Sequence, residues 1–107
     1  MAELHLSYVD NHQTVQANVG DTIVIQLPEN ASTGYQWDVL SFSQDLVTYE
    51  YQTNIESPPG NIGAGGSESI FRFRADAPGQ SQVFLKLWRG HESDESVFKY
   101  SVTLNVS

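Results

Sequence analysis

Chemistry in this chain would have to begin with its histidines, of which there are three, His5, His12 and His91. They lie far apart: His5 stands at an outward position of an alternating run, His12 near a turn and His91 in a polar stretch. No nucleophile-elbow sequence accompanies any of them, so a Ser-His-Asp site finds no support. The absence of cysteine removes a thiol nucleophile, a thiolate metal site and a disulfide framework together. "HESDE" (91–95) offers His91, Glu92, Asp94 and Glu95 to a cation, but mixed donors without fixed spacing read as a solvated charge run. Gly63-Ala64-Gly65-Gly66 is followed by neither a helix nor a closing lysine, so it does not cradle phosphate. The expectation is a protein that is not an enzyme, with no catalytic residue, no metal and no cofactor.

Recognition has better candidates. "NASTGYQW" (30–37) interrupts an alternating pattern with small and polar residues, then returns to two aromatics. Asn30 and Ser32 can bond nearby backbone and Gly34 can take positive φ, which is what a turn requires, and turns carried on a rigid scaffold are also where binding residues gather. Trp88 falls on the opposite parity from Val83, Leu85 and Leu87. If those three face a core, the indole points outward beside a polar loop, where it could anchor a partner or cover a neighbouring sheet face.

The elements that must position these residues have a period of two. Leu4, Leu6 and Tyr8 alternate, as do Ile23, Ile25 and Leu27; Tyr35, Trp37 and Val39; Phe71, Phe73 and Ala75; and Phe98, Tyr100, Val102, Leu104 and Val106. Strands over 47–53 and 82–88 complete the set. Gly20-Asp21, Pro58-Pro59-Gly60, Gly63 to Gly66 and Pro78-Gly79 punctuate the runs. The pattern predicts an all-β, immunoglobulin-like antiparallel β-sandwich of seven or eight strands, with residues 1–107 forming a single domain. In that topology the connections around 30–34, 57–67 and 88–96 leave from the same end.

Composition narrows the partners. Thirteen acidic against five basic residues give a formal net charge of -8, which repels phosphate backbones and anionic lipid, so neither nucleic acid nor membrane is expected as a partner. The apolar runs are too short to span a bilayer. The start "MAELHLSYVD" has neither the basic residues nor the apolar stretch of an export signal, so a cytoplasmic location is expected, a trimmed secreted form reading the same way. Asn30-Ala31-Ser32 is also an N-glycosylation acceptor. A glycan at that position would be too bulky to fit beneath a partner's surface, which favours a protein that works outside a glycosylating pathway.

Three of these stretches together resemble a known family. "NASTGY" (30–35) is similar to the NPTTG[FY] loop of chagasin-like inhibitors of papain-like cysteine peptidases, "GAGG" (63–66) to their GxGG loop and "KLW" (86–88) to their RPW, in family order and across essentially the whole chain. The resemblance implies that Ser32, Thr33 and Gly34, flanked by Ala31 and Tyr35, enter the active-site cleft over the catalytic cysteine while Asn30 braces the loop. It also implies that Gly63, Ala64, Gly65 and Gly66 meet one wall of the cleft, and that Trp88, on a base shaped by Lys86 and Leu87, packs against the other. Ala31 replaces the family's proline, and Lys86-Leu87 replaces Arg-Pro. Lysine has no planar fork and leucine does not fix φ, so looser loops are expected. The partner implied is a papain-like cysteine peptidase, bound by a monomer. The competing reading from the same loops is an adhesive or ligand-binding immunoglobulin-like module.

Overall fold

The computed structural model describes residues 2–29, 36–56, 67–88 and 98–107. Within them lie eight strands: β1 (Glu3–Leu6), β2 (Thr14–Ala17), β3 (Thr22–Glu29), β4 (Gln36–Ser41), β5 (Val47–Glu56), β6 (Ser67–Ala75), β7 (Gly79–Trp88) and β8 (Phe98–Val106). They form two four-stranded sheets in the orders β1-β3-β6-β5 and β2-β8-β7-β4, the sandwich that the alternation predicts. The long strands pair antiparallel, and the two short N-terminal ones add parallel edges, β1 on β3 and β2 on β8.

Period-two patterning places one face of each long strand inside. Ile23, Ile25 and Leu27 of β3, Phe71 and Phe73 of β6, Val83 and Leu85 of β7, and Tyr100, Val102 and Leu104 of β8 are almost wholly buried and form one core between the sheets. On the outer face of β6, Arg72 and Arg74 lie in a ladder with Glu3, Glu50 and Asp76.

Alternation misleads at three places. Tyr8 does not continue β1; it opens a 3-10 turn, Tyr8–Asp10, closed by the Asp10 carboxylate accepting from Ser7 N–H at 2.9 Å. That turn carries the chain from one sheet to the other, and β2, too short and too polar to show a period, follows it. Phe98 shares the core parity of β8 yet is 53% exposed: it is the first residue of the strand, and its ring forms a T-shaped pair with Tyr8.

One end of the sandwich is closed by tight connections. Gly20 and Gly79 take φ of +97° and +142°, conformations that a side chain resists, and a Cβ on Gly79 would lie 3.0 Å from the Leu46 side chain. Beside them the buried Asp21 carboxylate accepts from the backbone N–H groups of Ala2 and Asn18, which hold its pKa below the usual carboxylate range. The other end is where the candidate residues belong.

Candidate functional site

The strand registers settle which ends meet. Glu29, the last residue of β3, pairs with Ser67, the first of β6, and Ser67 pairs with Glu56, the last of β5. In the opposite sheet Gln36, the first of β4, pairs with Trp88, the last of β7, and Leu87 pairs with Phe98, the first of β8. The strand ends flanking segments 30–35, 57–66 and 89–97 therefore all lie at one end. The convergence expected from sequence is met at the level of those ends. Asn30, Ala31, Ser32, Thr33, Gly34 and Tyr35, and Gly63, Ala64, Gly65 and Gly66, lie outside the described residues, as does the His91 to Glu95 run.

A buried carboxylate joins the two sheets at that end. Glu29 is only 8% exposed, and it accepts from Trp37 N–H and Ser69 Oγ, each at 2.9 Å, and from Asn54 Nδ2 at 2.9 Å. Asn54 also donates to Ser69 Oγ at 3.0 Å. Residues of β3, β4, β5 and β6 thus share one polar cluster. Pro28 adds a second tie, its carbonyl accepting from the Trp37 indole at 2.8 Å, so that both flanks of segment 30–35 are fixed to each other. A buried charge is tolerated only where donors surround it, and these donors come from positions that no local sequence pattern links. Sequence reasoning missed Glu29; an acidic residue in the last position of a mostly apolar strand was the available signal.

The described part of the third motif is built differently. Lys86 and Trp88 share the outer face of β7, as their parity predicts. The Lys86 ammonium lies 3.4 Å from the centroid of the indole, a cation–π contact, and the indole Nε1–H donates to the Asp38 carboxylate of β4. Trp88 is half-buried by these neighbours rather than free, and Leu87 turns to the other face, partly buried against the core. The lysine that stands in place of arginine thus still sets a cation on the indole face. A point charge on a flexible stem can stack on an aromatic face where a fork is not needed.

Of the described residues, His5 and His12 take local roles. His5 pairs with Glu3 at 2.8 Å on the outer face of β1. His12 adopts φ of +69° between the 3-10 turn and β2, its Nδ1 lying 3.3 Å from Ser101 Oγ. Among the described residues no group of His, Asp or Glu is arranged to hold a metal ion, and no helix is long and apolar enough to cross a membrane.

An immunoglobulin-like sandwich in which the strand ends flanking three inter-strand segments share one end with a buried polar cluster and a braced tryptophan has the architecture of a loop-presenting scaffold. The chain belongs to the chagasin family of peptidase inhibitors: the family described as "Chagasin family peptidase inhibitor I42" matches residues 16–106. Chagasin of Trypanosoma cruzi is 30% identical over 105 residues, which cover 89% of this chain and 92% of that protein. Among solved structures, a cysteine protease inhibitor of Entamoeba histolytica superposes with a TM-score of 0.90 at 23% identity, covering 100% of this chain and 97% of that one. PbICP-C, solved in complex with falcipain-2, superposes at 0.61 with 19% identity and full coverage of both chains. At these identities the structural likenesses speak for the fold.

Proposed function

We propose that this chain inhibits papain-like cysteine peptidases reversibly and competitively, by filling the active-site cleft with segment 30–35 between two flanking contacts, residues 63–66 and 86–88. The observation that supports the reading is the meeting, at one end of the sandwich, of the strand ends that flank segments 30–35, 57–66 and 89–97, in a chain of the chagasin family. A peptidase cleaves a chain whose scissile carbonyl is held within roughly 3–3.5 Å of its nucleophile. An inhibitor survives by filling the cleft without offering such a carbonyl. Segments mounted on a packed scaffold lose little freedom on docking, so an interface of about 1,600 Å² can be tight. The relative solved with falcipain-2 supports a partner of this class. The protein itself performs no catalysis in this reading.

The test is titration into papain with a fluorogenic peptide substrate. Full, reversible inhibition that rising substrate relieves is the expected result. A papain whose catalytic cysteine is replaced by alanine should still bind, because the thiol forms no bond to the inhibitor. Binding without any loss of hydrolysis would leave an adhesive module and overturn the proposal.

A further inference from the structure

Trp88 carries two constraints that act in different directions, and one comes from a residue outside every motif. In the β4–β7 pairing Asp38 stands directly opposite Lys86, and Gln36 opposite Trp88, so Asp38 is the diagonal neighbour of Trp88 on the same outer face. Diagonal neighbours in an antiparallel pair lie about 7–8 Å apart, within reach of a large side chain. The Asp38 carboxylate takes the indole N–H in the plane of the ring, while the Lys86 ammonium sits over its face at 3.4 Å. An in-plane bond fixes how the ring is turned about its own axis, and a contact on the face fixes how far it tilts. Either alone leaves the other motion free.

We infer that Asp38 is a positioning residue for inhibition: with Lys86 it holds the Trp88 ring in its binding orientation before a peptidase arrives, and it touches no peptidase itself. The inference rests on the proposed function for its consequence, though not for its geometry. Ordering a large side chain on binding costs about 0.5–1.5 kcal/mol, which corresponds to roughly a twofold to tenfold change in affinity. An indole already fixed avoids that cost.

The test uses the full chain with Asp38→Ala, Asp38→Asn, Trp88→Ala and the Asp38→Ala/Trp88→Ala double variant. In the free protein, amide-type proton exchange is followed at the two indole N–H groups by nuclear magnetic resonance. Trp37, whose indole donates to the Pro28 carbonyl, is the internal control for an intact fold. Asp38→Ala should speed exchange at Trp88 about tenfold with Trp37 unchanged, and Asp38→Asn, which keeps an acceptor oxygen, should restore most of the protection. Against papain, Asp38→Ala should raise the inhibition constant about fivefold and have no further effect once Trp88 is alanine. An unchanged Trp88 signal in Asp38→Ala, or the same loss of inhibition with and without Trp88, would overturn the inference. If the unaltered protein fails to inhibit papain, the proposed function falls, and the exchange measurement still decides whether Asp38 holds the ring.

Discussion

Glu29 shows how much a single side chain can depend on distant partners. It is charged, almost fully buried, and surrounded by donors from Trp37, Asn54 and Ser69. Glu29→Gln preserves its shape but turns an NH₂ toward groups that are themselves donors. The expected cost is about 2 kcal/mol or more of stability, the penalty for leaving buried polar groups mispaired. Because Glu29 immediately precedes segment 30–35 and accepts from Trp37 just beyond it, inhibition of papain should weaken as well, in protein still folded at 25 °C. Urea unfolding and an inhibition constant on the same variant check this; an unchanged constant beside the expected loss of stability would separate the polar root from the binding loop. Leu27 and Ile25, by contrast, could be assigned to the core from alternation alone, since an apolar side chain needs only an inside and not a particular partner.

At the scale of elements, the 3-10 turn and β8 are coupled by Tyr100. Its ring is buried in the core, and its hydroxyl donates to the Ser7 carbonyl at 2.9 Å. Burial raises its pKa far above the ordinary tyrosine value, and the negative charge of Asp10 raises it further. Folding therefore holds the proton on. The resulting contribution to stability is complete below about pH 10, where an unfolded tyrosine titrates, and is lost as pH climbs from there through the raised folded value. Tyr100→Phe should cost about 1 kcal/mol at neutral pH, from the lost hydrogen bond, and should make the alkaline decline of stability shallower. Tyr49, raised in the same direction by burial and then by Asp38, would leave some decline in place. Urea midpoints from pH 7 to 11 measure both effects; parallel curves for the two proteins would count against the account. The turn itself was not legible, because Tyr8 continues the period of β1 in the sequence and only its rings' fit against Trp37 and Tyr100 marks where the strand stops.

At the scale of the whole molecule, a formal charge of -8 surrounds a site whose described cation, Lys86, is stacked on an indole. Arg72 and Arg74 are paired with carboxylates on the outer face of the other sheet. The long-range field is thus acidic. Association with a peptidase of net positive charge should slow as salt rises, and association with a negatively charged one should quicken, while dissociation changes little in both. Stopped-flow rates between about 20 and 500 mM salt, spanning Debye lengths from roughly 20 Å to a few ångström, provide the check. Association rates indifferent to salt for both enzymes would show that net charge does not steer the encounter.

The chain by itself determined the sandwich, because a period of two is a property of neighbours in sequence and apolar burial has no direction. It also determined which stretches were unusual, and the outward parity of Trp88, since both are local. Tertiary structure alone decided the partners: that Asp38 takes the Trp88 indole across a strand pair, that Asn54, Ser69 and Trp37 surround Glu29, and that the chain changes sheets at Tyr8. Hydrogen bonds and ring contacts are directional and close only when the register brings two atoms together. Here that register is set by strands separated by tens of residues.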